Sequence, residues 1–302
     1  MLIVTRSSDP SVLQRALAFK AYEIEELADV CFFRPLGFGI ARTALIARVT
    51  ATQLTVAGTL IGVAGGVLLY DERLGLWAFA LLIVYGVFDS ADGQLARMTR
   101  TESELGRVLD GVGGYITYAA AYIAIVAGSL SRGGDMSIIA WAGLSAIANT
   151  AQAQMYDYHR TSYATLVVKG IAAAPDADAR IDVQWARWLL RVYRHAQRRL
   201  VGLHDDVEAA IAARSPQGAV SPEDRARYRA CFYWPVRGWN LLGDNTRFYA
   251  IGVLAWIHHP EWLFAFILLP MNVALTALWL WQRRADRRFL ARDTTSGRHA
   301  HG

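Results

Sequence analysis

Residues 74–90 read LGLWAFALLIVYGVFDS, and the chain continues directly with Ala91, Asp92 and Gly93. A helix needs about 20 mostly apolar residues to cross the hydrocarbon core of a bilayer. Only a few kinds of structure satisfy the backbone hydrogen bonds there, and the helix is the commonest of them. This block has the apolar character that such a helix requires, and it ends abruptly in carboxylates. It therefore predicts a membrane-spanning helix with a functional polar end.

The composition extends this interpretation to the whole chain. Of the 302 residues, 54% are hydrophobic and only 19% are charged, and the mean hydropathy is +0.22. A soluble protein of this size usually carries more charged surface. The two cysteines, Cys31 and Cys231, lie too far apart in sequence to suggest a metal motif, and they form no disulfide framework. We expect an integral, multi-pass membrane protein of the all-α class.

Six apolar blocks predict six transmembrane helices. They are residues 54–70, 74–90, 112–130, 136–156, 248–257 and 261–281. The fifth block is short, and it is interrupted by His258, His259 and Pro260. An even number of spans places both termini on the same side of the membrane.

The distribution of positive charge predicts the orientation. Every Lys and Arg except Arg73 and Arg132 falls on the side that carries the termini and the loop after residue 90. Positively charged loops face the cytoplasm, so this side is predicted to be cytoplasmic, at the inner membrane if the protein is bacterial. The net charge of +5 does not indicate nucleic-acid binding, because no basic stripe interleaved with aromatics accompanies it.

The spans divide the chain into five predicted segments. They are an interfacial N-terminal helical segment (1–53), spans one to four (54–156), an Arg-rich cytoplasmic helical insertion (157–247), spans five and six (248–282) and a basic tail (283–302). Residues 11–48 favour an amphipathic helix lying along the lipid headgroups. Residues 183–202 favour a basic amphipathic helix that rests on anionic lipid, covers the active site or packs within the insertion.

The first span carries Gly58, Gly62 and Gly66 at four-residue intervals. Small residues at this spacing let two helix backbones approach closely. The ridge predicts either tight packing inside the protein or a homodimer, and the sequence does not choose between them.

Three aspartates lie at the predicted cytoplasmic rim of the second and third spans. Asp89 and Asp92 are three residues apart and share a helix face, and Asp110 lies at the matching end of the third span. Carboxylates in or beside a membrane span are rare and usually functional. Converging carboxylates repel one another unless a cation holds them, and hard oxygen ligands suit Mg²⁺ or Mn²⁺. The alternative is that they only solvate helix ends.

The residues between the aspartates fit a phosphate-rich ligand. Gly93, Ala96 and Gly106 leave the helix surface bare, so that a bulky anionic group can approach the backbone. Arg97 offers a guanidinium group that can bind a phosphate through two hydrogen bonds.

The whole pattern, Asp89-x2-Asp92-Gly93-x2-Ala96-Arg97-x8-Gly106-x3-Asp110, resembles the signature of the CDP-alcohol phosphotransferase family of membrane enzymes. Upstream, RVTATQLTVAG is similar to the stretch that opens the family's first span. The family commonly has Thr-Pro-Asn there, and this chain has Thr50, Ala51 and Thr52. The resemblance covers roughly residues 30–155 well.

The resemblance implies a transfer reaction in phospholipid or related lipid synthesis. A CDP-alcohol or CDP-diacylglycerol would bind through its diphosphate, an alcohol hydroxyl would attack phosphorus, and CMP would leave. It also implies roles by position. Asp89, Asp92 and Asp110 would be metal ligands, and Gly93, Ala96 and Gly106 would form the floor under the nucleotide, with Arg97 nearby.

The sequence departs from the family at one position. The family pattern continues after three further residues with another aspartate, usually a general base or a second-metal ligand, and this chain has Gly114 there. Three interpretations stay open. Another residue acts as the base, with Asp157, His159 and Asp244 as candidates; or the acceptor needs no base; or the protein is a non-catalytic CDP-lipid-binding or scaffold protein. A transporter is less favoured, because its charges are expected at mid-membrane depth.

Overall fold

The computed structural model describes residues 22–172, 201–215 and 217–299, together with Gln184, Trp188, Arg191 and Val192. Its described residues are helical apart from turns and one isolated β-bridge between Ile171 and Ala219. This confirms the predicted all-α class. The α-helices are α1 (Arg34–Ile46), α2 (Ala51–Leu68), α3 (Gly75–Thr99), α4 (Glu104–Ser131), α5 (Ser137–Tyr163), α6 (His204–Ala213), α7 (Pro222–Trp239), α8 (Asp244–Trp256), α9 (Trp262–Leu268) and α10 (Pro270–His299).

Four helical stretches of the described chain are long and apolar enough to cross a membrane. They are Ala51–Leu68, Glu72–Thr99, Glu104–Ser131 and Trp262–Ala291. They coincide with the first, second, third and sixth predicted spans, and they support a multi-pass membrane protein. In the described chain, these stretches account for four of the six predicted spans.

The two remaining blocks form helices of a different character. In α5 the side chains of Asn149, Gln152 and Gln154 are buried, and these amides lower the hydropathy of the predicted fourth span. Helix α8 has 13 residues, which gives a length of about 20 Å. The hydrocarbon core is about 30 Å thick, so α8 alone is too short to cross it.

Several predicted segments lie partly outside the described residues. The interfacial helix expected within residues 11–48 is described from residue 22 onward, as a π-helical turn at Asp29–Phe33 followed by α1. Most of the amphipathic helix expected at residues 183–202 lies outside the described residues, and so does the end of the basic tail.

The described chain forms two compact units. The first unit contains residues 26–146 and 245–266, and the second contains residues 22–25, 147–244 and 267–299. The boundaries differ from the predicted segments, because parts of helices that are distant in sequence contribute to each unit.

Close packing of α2 on α3 and α4 organises the first unit, and the glycine ridge makes it possible. A Cβ atom added at Gly58 would lie 2.9 Å from the Cβ of Phe88 on α3. One added at Gly66 would lie 2.8 Å from the backbone nitrogen of Ala121 on α4. Real Cβ atoms do not approach other atoms so closely. The helices can therefore lie at this distance only because these glycines have no side chains. The ridge therefore serves packing inside the protein.

A buried polar network lies in the core of the second unit. His204 on α6 is fully buried, and its Nδ1 atom lies 2.8 Å from Oδ1 of Asp286 on α10. Its Nε2 atom lies 2.8 Å from the hydroxyl of Tyr228 on α7, and the hydroxyl of Ser162 on α5 lies 3.1 Å from the same tyrosine hydroxyl. Buried polar groups need such partners, so the network specifies how these four helices pack.

The glycine ridge leads to a stability prediction. Gly66→Ala places a methyl group against the backbone of α4, which cannot yield without moving the helix. Overpacking of this kind costs about 1–3 kcal/mol. We expect the variant to lower the thermal unfolding midpoint of the detergent-solubilised protein by several degrees. Gly143→Ala is the matched control, because no atom lies within 4 Å of a Cβ added there and alanine favours helix. Equal midpoints for the two variants would contradict the packing role of Gly66.

Candidate functional site

The three motif aspartates lie on α3 and α4 and differ in burial. Asp89 is exposed, one helical turn before Asp92 on α3. Asp92 is only 6% exposed, and Asp110 on α4 is half-buried. A carboxylate as buried as Asp92 requires compensation from its surroundings.

The hydroxyl of Thr55 on α2 provides part of that compensation. It donates a hydrogen bond of 2.5 Å to Oδ2 of Asp92. The charges of Asp110 and Arg97 also act on the Asp92 carboxylate. Asp92, Asp110 and Arg97 are therefore close enough for their charges to interact. Two carboxylates repel at close range, and one guanidinium leaves their combined charge negative.

Gly93 and Gly114 leave open surface around these carboxylates. A Cβ atom added at Gly93 would meet only Nη1 of Arg97, at 3.5 Å, and one added at Gly114 would meet only the Tyr85 hydroxyl, also at 3.5 Å. Both distances are ordinary van der Waals contacts. At Gly106 the backbone N–H donates to Oγ of Ser103 at 3.0 Å, which caps the start of α4. The bare surface at Gly93 and the room at Gly114 are available to a ligand.

The donor set fits a hard divalent cation. Carboxylate oxygens are the ligands that Mg²⁺ and Mn²⁺ prefer, and a cation would relieve the repulsion between Asp92 and Asp110. In the described part of the chain, no three His, Cys, Asp or Glu side chains are arranged as a group that could hold a metal ion. Joint binding of one ion by Asp89, Asp92 and Asp110 thus stays a prediction.

The three candidate bases have different surroundings, all in the second unit. Asp157 on α5 is exposed, and so is Asp244 at the first position of α8. His159 is fully buried and stacks on Trp239 with ring centroids 4.7 Å apart. Burial holds the pKa of His159 well below its usual range. Its side chain has no exposed surface, whereas Asp157 and Asp244 are exposed, and the identity of the base stays a prediction.

Thr55 is the site residue that the sequence analysis missed. It lies three residues before Gly58, which is the spacing of neighbours on one helix face. The sequence therefore places Thr55 on the same face of α2 as the glycine ridge. That position indicates a contact with Asp92 only when α2 is known to pack on α3.

The segment that contains the motif aspartates and Thr55 also matches a known protein family. Residues 48–173 match the CDP-alcohol phosphatidyltransferase family. The match confirms the resemblance carried by the aspartate motif, and it spans α2 to α5. No curated protein matches the chain. Members of this family transfer a phosphate group from a CDP-alcohol donor and generally depend on a divalent metal.

The departure from the family's usual Thr-Pro-Asn does not disturb the start of its first span. Thr50 is the N-cap of α2, where the N–H of Gln53 donates to the Thr50 hydroxyl at 3.2 Å. The N–H of Thr50 donates in turn to Oε1 of Gln53 at 2.8 Å. This reciprocal pair is a capping box, which satisfies two backbone donors at once. The segment that matches the family therefore begins with a well-defined helix end.

Proposed function

We propose that the protein transfers a substituted phosphate group from a CDP-activated donor to the hydroxyl of an alcohol, in phospholipid or related lipid synthesis. The donor is CDP-diacylglycerol or a CDP-alcohol. The observation that best supports this is the buried carboxylate of Asp92, held by Thr55 and facing the charges of Asp110 and Arg97. This cluster lies inside the segment that matches the family.

Asp89, Asp92 and Asp110 are the proposed ligands of Mg²⁺ or Mn²⁺. When bound, the cation would neutralise the donor's diphosphate and stabilise the charge that develops on the transferred phosphate. The hydrogen bond from Thr55 restricts the rotation of the Asp92 carboxylate. Preorganisation of this kind lowers the cost of orienting a charged group during reaction.

The other motif residues are proposed to bind the donor. Gly93, Ala96 and Gly106 form the surface under the nucleotide, and the Arg97 guanidinium donates to phosphate oxygens. In the reaction, the acceptor oxygen forms a bond to phosphorus and the bond from phosphorus to the CMP oxygen breaks. The hydroxyl proton passes to a base, and CMP leaves with the electron pair of the broken bond.

The motif of this chain contains no residue for proton removal, because Gly114 replaces the expected aspartate. The proposed base is Asp157, His159 or Asp244, or the acceptor loses its proton without a protein base. The same glycine favours an alternative function, in which the protein binds a CDP-lipid, or acts as a scaffold, without turnover. General-base assistance is worth about 10²- to 10⁴-fold in rate, so the difference is measurable.

The proposed setting is a six-span membrane protein with the aspartate site on the cytoplasmic side, as the distribution of Lys and Arg predicts. In this arrangement α5 and α8 complete the bundle, local thinning of the bilayer accommodates the short α8, and the N-terminal segment lies at the interface. The buried amides of Gln152 and Gln154 are consistent with a span, because polar side chains in a membrane face protein rather than lipid. The glycine ridge is already used inside the first unit, so a homodimer is not part of the proposal.

The function is tested by CMP release. The purified protein is incubated with Mg²⁺ or Mn²⁺, labelled CDP-diacylglycerol and a panel of alcohols. We expect metal-dependent release that is lost in Asp89→Ala and kept in Asp135→Asn. Asp135 is an exposed control outside the motif, where asparagine can retain the cap on Ser137. Release that survives Asp89→Ala would contradict the metal-centred mechanism, and donor binding without release would favour the non-catalytic alternative.

Gly114→Asp tests the missing base. The new carboxylate would lie four residues after Asp110 on the same helix face, where only the Tyr85 hydroxyl is in contact. If the chain lacks a base, the variant is expected to raise the rate of CMP release by a factor on the order of 10². Gly114→Ala is the matched control, since it adds the Cβ atom without the carboxylate. An unchanged or lower rate, beside an active wild type, would assign proton removal to another group.

A further inference from the structure

A basic groove lies between α7 and α10 in the second unit. Its volume is about 400 Å³, and it is lined by Ala230, Cys231, Trp281, Arg284, Ala285 and Arg288. None of these residues belongs to the segment that matches the family. The proposed phosphate transfer uses none of them.

The groove is lined by two arginines and by residues with small side chains. Arg284 and Arg288 are four residues apart on α10, so both guanidinium groups lie on one face. Both side chains are exposed, and neither forms an ion pair with another residue of the described chain. Ala230 and Ala285 leave room beside them. Two guanidinium groups at this spacing suit a phosphate, which each can bind through a pair of hydrogen bonds.

The position of the groove along its helix indicates the source of that phosphate. The candidate span Trp262–Ala291 has 30 residues, which gives about 45 Å of helix. The hydrocarbon core accounts for about 30 Å of this length. The arginine-bearing end therefore extends beyond the core to the headgroup level.

Aromatic residues beside the groove support this placement. Trp281 lines it and is 43% exposed. Two residues before Trp281 on the same helix, the ring of Trp279 has its centroid 4.4 Å from the guanidinium of Arg283. Tryptophan and arginine are the residues that anchor a helix at the membrane interface. An indole beside two guanidinium groups matches a ligand with an apolar chain and an anionic head.

We propose that this groove binds an anionic phospholipid, with its phosphate on Arg284 and Arg288 and an acyl chain beside Trp281. The site goes beyond the proposed transfer reaction, and its occupancy does not depend on that reaction. Bound lipid would cover Cys231 in the floor of the groove. This thiol therefore offers a reporter of occupancy that requires no enzymatic activity.

The test uses a variant with a single cysteine. The chain has two cysteines, so Cys31→Ser leaves Cys231 as the sole thiol. The rate of its modification by an uncharged maleimide is measured in neutral detergent, with phosphatidylglycerol, with phosphatidylcholine or with inorganic phosphate. We expect phosphatidylglycerol to slow the modification several-fold and the other two to change it little. Equal protection by phosphatidylcholine, or protection by inorganic phosphate alone, would overturn the proposal.

Paired charge variants decide whether the groove arginines are responsible. Arg284→Gln with Arg288→Gln is expected to abolish the protection by phosphatidylglycerol. Arg283→Gln with Arg287→Gln is the matched control, because it removes the same charge from the same helix without altering the lining. Size-exclusion profiles check that each variant is folded, and Arg288→Gln alone serves if the double variant is not. Protection that survives the groove variant, or disappears equally in the control, would overturn the proposal.

Discussion

The close approach of α2 to α3 and α4 is the constraint on which the first unit depends. Three glycines at four-residue intervals remove the side chains that would hold these helices apart. A fourth close contact involves a glycine on the facing helix, because a Cβ atom at Gly113 on α4 would collide with the Thr59 hydroxyl on α2. Thr55 lies one turn earlier on α2 and reaches Asp92 only because the backbones are this close. Helix packing and the chemistry of the site thus share one cause.

The burial of Asp92 links that packing to the proposed function. An isolated charged carboxylate is costly to bury, and proteins bury one only with partners. The Thr55 hydroxyl, the backbone N–H of Gly93 and the nearby Arg97 guanidinium are among its partners, while Asp110 adds a second negative charge. A divalent cation shared with a phosphate-bearing donor would complete this balance. The bare surface at Gly93 and the room at Gly114 are where such a donor has access.

The sequence predicted what depends on local pattern. Apolar blocks identified four helices long enough to cross a membrane, and fixed spacing identified the motif whose segment matches the family. The block at residues 136–156 was predicted to be a span from its apolar residues, whereas its amides are buried against other helices. Contacts between residues that are distant in sequence could not be predicted. The bond from Thr55 to Asp92 and the network of Ser162, His204, Tyr228 and Asp286 depend on tertiary packing, which no local spacing encodes.

The proposed mechanism requires that the aspartates at the rim of α3 and α4 bind a divalent cation. Titration of the purified protein with Mn²⁺, followed by electron paramagnetic resonance of the free ion, measures this binding without any assumption about substrate. We expect saturable binding that is lost in Asp92→Asn and in Asp110→Asn and is kept in Asp135→Asn. Mn²⁺ binding of the same stoichiometry and affinity in all three variants would contradict it.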